Sequence, residues 1–334
     1  IYQRLQWRKP YPKDWLVKFK NFCHIAHENK ISVIYGISPG LDFNFKDSEK
    51  DYFFLINKIN SLLDSGADNI ALMFDDIIEI KEIKKNSLGE RGYFHGLMAK
   101  KVSKILNKKN FFVVPEIYAD EIYNNPEDYF TRFCQNLPLE IRLFLTGEQI
   151  VSKNLEFPNN LGKIPSLIKN EVIYWDNYYC NDYCPRRIFV GKWINRDRNL
   201  NLLLNGTGLI ETDKLLLNLM KIGDNTKKWR EALINHKVPK EFFNVSKFFD
   251  KPYFEKSFIE KIVIDKAKFL KSIDFLLWSW KEPISREWYP YIFGLKQDFL
   301  IYYKDFSTER VFKTQTHFSS KHINNSFIKN NEKS

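Results

Sequence analysis

The strongest constraint on this chain is a cycle. Six short apolar runs punctuate its first two-thirds: 32–37, 69–74, 111–115, 141–147, 172–177 and a last one near 202–210. Their apolar content is continuous rather than alternating, which suits parallel strands buried on both faces. Between them, residues 13–29, 50–65, 93–107 and 126–136 carry apolar residues at helical spacing, and the segment 161–169 leads into the fifth run. In the first of these, Trp15, Phe19, Phe22 and Ile25 fall on one stripe, and Gly66 stands where the second should stop. Such repetition predicts a (β/α) barrel or a doubly wound sheet. A closed barrel of this kind takes eight strands, two more than this chain supplies.

Beyond about residue 213 the strand signal ends. Residues 213–237, 253–280 and 288–304 read as helical, with Trp229, Trp278, Trp280 and Trp288 as core aromatics. We therefore divide the chain into a β/α domain over 1–224, a helical domain over 225–313 and a polar tail over 314–334.

Composition removes several classes. The 334 residues are enough for about two domains. With 16% aromatic and 44% hydrophobic residues there is ample material for a core, so disorder is excluded as the main state. No apolar run approaches the roughly 20 residues that span a bilayer. Cys23, Cys134, Cys180 and Cys184 form no CxxC pair and the His residues are scattered, so neither a disulfide scaffold nor a metal site is expected. The net charge of +11 comes from basic residues interleaved with acids, with no basic block. That pattern reads as background composition rather than a nucleic-acid surface. The chain begins at Ile1 with no initiator Met and no signal-peptide pattern, and reads as a piece of something longer. Compartment and oligomeric state stay open.

In parallel α/β folds, sites collect at the C-terminal ends of strands. Polar residues there include Ser38-Pro39-Gly40-Leu41-Asp42, Asp75-Asp76, Tyr118 and Trp175-Asp176-Asn177 through Asn181-Asp182. The adjacent carboxylates are the sharpest feature. Two such groups at the mouth of an apolar strand are costly unless paired, solvated or used. Close placement pushes their pKa values apart, so that one stays ionised while the other carries a proton for general acid catalysis. Glycoside cleavage needs that pair of roles. The plainer alternative is a helix N-cap, where Asp is favoured. Asp176 or Asn177 can likewise cap a helix, and Trp175 and Tyr118 can simply pack. In a site, Asn177 and Asp182 suit sugar hydroxyls and the Trp175 face suits the apolar side of a sugar or an acetyl methyl.

Taken in order, these runs resemble glycoside hydrolase family 84, the group of the O-GlcNAcases and of bacterial β-N-acetylglucosaminidases known as hyaluronidases. The matching pieces are Tyr2-Gln3-Arg4 with Trp7-Arg8-Lys9-Pro10-Tyr11-Pro12, then Tyr35-Gly36-Ile37-Ser38-Pro39-Gly40-Leu41-Asp42. They continue with Ala71-Leu72-Met73-Phe74-Asp75-Asp76-Ile77, Val172-Ile173-Tyr174-Trp175-Asp176-Asn177 and Asn181-Asp182 with Arg187-Ile188-Phe189-Val190-Gly191. The resemblance implies a (β/α)8 barrel followed by a helical domain, with two strands preceding the Tyr-x-Arg motif. It implies retaining cleavage of terminal β-linked N-acetylglucosamine in a glycan or glycoprotein, without a cofactor. The 2-acetamido oxygen attacks C1 and forms an oxazoline. By position, Asp75 resembles the carboxylate that polarises the acetamido N–H, and Asp76 the general acid and base. Tyr118, Trp175, Asn177 and Asp182 resemble substrate-binding residues. For a bacterial member the resemblance favours a secreted or cell-surface place.

Three stretches depart from the family pattern. The usual Pro-Thr-Glu-Tyr is Pro115-Glu116-Ile117-Tyr118, and Trp-Thr-Gly is Leu145-Thr146-Gly147. After the last strand, an Asn-Pro whose Asn binds sugar is replaced by Gly208-Leu209-Ile210-Glu211-Thr212-Asp213, so that ligand reads as lost. The competing expectation is therefore a glycan-binding or structural module on a decayed, inactive barrel.

Overall fold

The structure is a computed structural model that describes residues 4–39, 42–45, 48–76, 87–106, 111–156, 161–184, 186–252 and 265–302. The polar tail expected over 314–334 lies outside these residues, as do Gly40, Leu41 and the start of the helix expected from 253. The chain divides into two compact units: Ile1–Trp175 with Asp197–Leu203, and Asp176–Arg196 with Leu204–Ser334.

The first unit alternates helix and strand: α1 (Lys13–Glu28), β1 (Ile34–Ile37), α2 (Glu49–Asp64), β2 (Asn69–Met73), α3 (Leu88–Leu106), β3 (Phe111–Val114), α4 (Glu127–Cys134), β4 (Arg142–Leu145), β5 (Val172–Asp176) and β6 (Leu202–Leu204). The strands form one sheet in chain order, β1-β2-β3-β4-β5-β6. Strands β1 to β5 pair in parallel, with Ile37 opposite Leu72 and Leu72 opposite Val113. A doubly wound sheet reverses its strand order at a switch point. Here the order never reverses, so the sheet is a barrel wall of six strands, and a closed barrel is not formed by the described residues.

The two faces of that wall differ. Ile70, Leu72, Phe74, Phe111, Val113, Leu143 and Leu145 pack outward against Phe19, Leu55, Ile59, Val102 and Phe130 of the helices. Ala71, Phe112, Val114 and Phe144 point the other way, and Met73, Tyr118, Ile173, Trp175 and Leu203 join them. Among the described residues of this unit, the helices pack on the first of these faces, as in a barrel's outer ring. Helices α3 and α4 approach closely because of two glycines. A Cβ at Gly92 or Gly96 would stand 2.3 Å from the carbonyl oxygen of Tyr129 or Phe133.

One local expectation changes. In α1 the buried stripe is Phe19, Cys23 and Ala26, whereas Phe22 and Ile25 are exposed. The segment 161–169 holds a short 3-10 turn, Ile164–Leu167, with Pro165 inside it.

The second unit carries α5 (Ile210–Ile222), α6 (Thr226–Asn235), α7 (Lys266–Trp278) and α8 (Pro283–Tyr302). Three of its buried indoles are hydrogen-bonded, as buried Trp usually is. Trp288 Nε1 donates to Thr212 Oγ1 at 2.9 Å, Trp229 Nε1 to the Val190 carbonyl at 2.9 Å and Trp280 Nε1 to the Lys237 carbonyl at 2.8 Å. Trp278, expected in the core, is instead 56% exposed. The Glu287 carboxylate caps α5 by accepting from the backbone N–H groups of Glu211 and Thr212.

Candidate active site

In the first unit the chemistry gathers beyond the C-terminal ends of β2 and β3. Strand β2 is apolar because it is buried, and Phe74 continues it. The chain then turns abruptly. Asp76 has φ 54°, the left-handed region that a side-chain-bearing residue enters at a cost of about 1–3 kcal/mol. Such strain persists where surrounding contacts impose it, and it concentrates at functional sites.

The two carboxylates occupy opposite environments. Asp75 Oδ1 is buried and meets no hydrogen-bond donor among the described residues. Burial first, and then the charge of Asp76, pushes the Asp75 pKa up to about 6, while Arg4 opposes the rise. Asp76 is 63% exposed along its side chain. Its Oδ1 accepts from the Tyr118 hydroxyl at 3.2 Å, and its Oδ2 lies 3.9 Å from Arg4 Nη1. The two neighbours thus differ in burial, which a dipeptide does not reveal. The helix-cap alternative cannot be followed past Asp76, since 77–86 lie outside the described residues.

Tyr118 is held by the next strand. The Thr146 backbone N–H and hydroxyl both donate to the Tyr118 carbonyl, at 2.8 and 3.3 Å, and Ala119 bridges to Gly147. Leu145-Thr146-Gly147 thus keeps a positioning task although its first residue departs from the family pattern. Glu116 sits beneath. Its fully buried carboxylate pairs with Arg91 at 2.9 Å, and its N–H donates to Tyr129 Oη. Trp175, on the inner face, meets Phe144 edge-on at 5.7 Å.

Asp42 is a structural acid. It accepts from Trp7 Nε1 at 2.6 Å and from Arg8.

In the second unit a chain of polar groups follows strands β5 and β6. Asn205, immediately after β6, donates through Nδ2 to Asn177 Oδ1 at 3.0 Å and to Cys180 Sγ at 3.2 Å. The Cys180 thiol in turn donates to Asp182 Oδ1 at 2.9 Å. Burial pushes that thiol up to about 12, so it remains a donor at neutral pH. Asn177 and Asp182 are thereby linked through Asn205 and Cys180, which the sequence reading did not place in the site. The last strand ends at Leu204, not near 210, and Asn205 follows it directly.

Asp176 is not part of this chain of groups. Its carboxylate is buried and holds Arg196 through both oxygens at 3.1 Å, with Trp193 Nε1 at 2.9 Å and the Tyr178 N–H at 3.1 Å. Asn181 also serves structure, donating to the Arg187 carbonyl and to Tyr291 Oη.

A family model described as NAGidase, beta-N-acetylglucosaminidase, matches residues 1–212. The chain belongs to this β-N-acetylglucosaminidase family. The mouse Protein O-GlcNAcase is 27% identical over 208 residues, covering 61% of this chain and 22% of that protein. The rat Protein O-GlcNAcase is 26% identical over 217 residues, with the same coverage. The chain therefore spans about a fifth of the length of these curated relatives. Among solved structures, CpGH84B superposes with TM-score 0.64 at 24% identity, covering 83% of this chain and 53% of its own. A D120N mutant of the Thermobaculum terrenum O-GlcNAc hydrolase superposes with TM-score 0.62 at 22% identity, covering 82% and 65%. At these identities the structural likeness supports the fold, and the family match carries the glycosidase class.

Proposed function

We propose that the chain is a retaining β-N-acetylglucosaminidase that uses its substrate's own acetamido group as nucleophile. One observation carries the reading. A buried carboxylate oxygen without a donor, Asp75 Oδ1, lies beside an exposed carboxylate in strained backbone, Asp76, that is hydrogen-bonded to a tyrosine.

In the first step the acetamido oxygen bonds to C1. The C1–O bond to the leaving group breaks, and that oxygen takes the proton of Asp76. Positive charge develops on the acetamido nitrogen as the oxazoline ring closes. Asp75 accepts the N–H hydrogen bond there and stabilises that charge. Its raised basicity suits this task, because a more basic carboxylate draws more strongly on an acidifying N–H. In the second step Asp76 removes a proton from water, which opens the ring at C1 with net retention. Tyr118, Trp175, Asn177 and Asp182 are assigned to substrate binding, and Asn205 joins them. No cofactor is invoked. We read the six-stranded wall as part of an eight-stranded barrel. The substrate is a terminal β-linked N-acetylglucosamine of a glycan or glycoprotein.

The alternative, a glycan-binding module without turnover, rests on a missing sugar-binding amide and on the thinner motifs. We read Asn205 as able to supply such an amide, which favours the enzyme. The test is hydrolysis of aryl β-glucosaminides whose N-acetyl hydrogens are replaced stepwise by fluorine. Rates should fall with each fluorine, since the acetamido oxygen becomes a poorer nucleophile, and the first-formed sugar should be the β anomer. Turnover indifferent to fluorine would remove the acetamido nucleophile from the reading. Binding without turnover would favour the module.

A further inference from the structure

We propose that Arg4 is a positioning residue for proton transfer, acting through the backbone of the Asp75-Asp76 turn. The inference rests on the glycosidase reading above. One nitrogen of Arg4, Nη2, donates to two successive carbonyls, Asp75 O at 3.3 Å and Asp76 O at 2.7 Å. Successive carbonyls of an extended strand point to opposite sides. Two that converge on a single donor mark a chain that has turned, and Asp76 is the residue at positive φ. The second nitrogen, Nη1, reaches toward the Asp76 carboxylate at 3.9 Å. Arg4 thus holds both the turn and the side chain it presents. A planar fork with several donors can make these contacts together, whereas a lysine ammonium offers one point charge.

Arg4 is itself well anchored. The segment that carries it is fastened by Trp7, which is buried and donates to Asp42. Arg8 adds bonds to both oxygens of Asp51 on α2, each at 2.7 Å. Lys58 of α2 donates to the Lys9 carbonyl at 2.6 Å. This apparatus holds Arg4 against the end of β2, and nothing in the reaction as drawn needs Arg4 to touch substrate.

The experiment compares Arg4→Ala and Arg4→Lys with the unaltered chain on an activated aryl and an alkyl N-acetyl-β-glucosaminide. A misdirected proton donor slows poor leaving groups most. For Arg4→Ala we expect kcat/KM on the alkyl glycoside to fall by about 100-fold, the scale of a misplacement near 1 Å. The aryl substrate should lose much less, and KM should hardly move. Added guanidinium ion should restore part of the alkyl rate in Arg4→Ala, and Arg4→Lys should not recover it. A second readout is independent of turnover: carbon-13 titration of the Asp carboxyls. Asp75 faces Asp76 and Tyr118 as well as Arg4, and removing Arg4 should move its titration above the present value of about 6. Equal losses on both substrates without guanidinium rescue would reduce Arg4 to a folding residue. Unchanged rates would remove the role altogether. If the unaltered chain turns over neither substrate, the glycosidase reading fails. The titration then decides Arg4 alone, and an unmoved Asp75 overturns the proposal.

Discussion

Asp75 and Asp176 stand in equivalent places, each at the end of an apolar parallel strand, yet their environments are opposite. Asp176 satisfies its oxygens with a buried arginine, an indole and a backbone N–H. Asp75 leaves one buried oxygen without a donor among the described residues, beside a second carboxylate. One is a completed ion pair that ties a loop down. The other is held with unspent hydrogen-bonding capacity, which costs stability and leaves an acceptor for a ligand. Position at a strand end therefore marks both structural and functional acids. What separates them is whether the protein satisfies the group itself.

The largest expected difference follows directly. Arg196 is fully buried on the Asp176 carboxylate. Asp176→Ala leaves that charge unpaired and strands the Trp193 and Tyr178 donors. Removing one partner of a buried pair costs about 3–5 kcal/mol. Urea unfolding followed by Trp fluorescence should show the second unit losing most of its stability. A loss below about 1 kcal/mol would mean that the pair is as weak as a surface bridge.

The pH dependence sharpens the same comparison. In the proposed mechanism Asp75 must be ionised to accept the acetamido N–H. Its pKa is raised to about 6 by burial and by Asp76. The kcat/KM profile should therefore fall on the acid side through about pH 6, tenfold per unit below it, instead of near 4. Asp76→Asn removes the neighbouring negative charge, so the limb measured with an activated aryl glycoside should move to lower pH. A limb that stays put in that variant would show the two carboxyls to be uncoupled.

Much of the first unit was legible because parallel strands buried on both faces need continuous apolar runs. Asn69–Met73 and Phe111–Val114 lie within such runs. Less legible were features that depend on three-dimensional neighbours. In α1 the sequence offers two stripes sharing Trp15 and Phe19, and the larger residues Phe22 and Ile25 favoured the wrong one. Small Cys23 and Ala26 fill the core side instead. Asn205 was missed because Leu202–Leu204 runs on into Gly206-Thr207-Gly208-Leu209-Ile210, which blurs the strand end. Asp75-Asp76 was visible as a pair, but the burial that raises Asp75 is not written in a dipeptide. Arg4 was visible as part of a motif, and its work shows only in the carbonyls it reaches.

The smallest expected effect is also the one whose sign separates Asp75 from Asp176. Folding raises the Asp75 pKa from the unfolded value near 3.9 to about 6, so the folded chain binds that proton more tightly. By linkage, ionised Asp75 costs stability once the pH is above both values, and the cost disappears below the unfolded one. Two units correspond to about 3 kcal/mol, and the partial solvent contact of the residue reduces this to about 1–2 kcal/mol. Asp75→Asn should therefore abolish turnover and yet raise stability at pH 7.5, with the gain shrinking through pH 6 and gone by about pH 3.5. Thermal melts of both proteins across that range would measure it. A variant less stable at every pH would mean that Asp75, like Asp176, is there to hold the fold, and the contrast between the two acids would collapse.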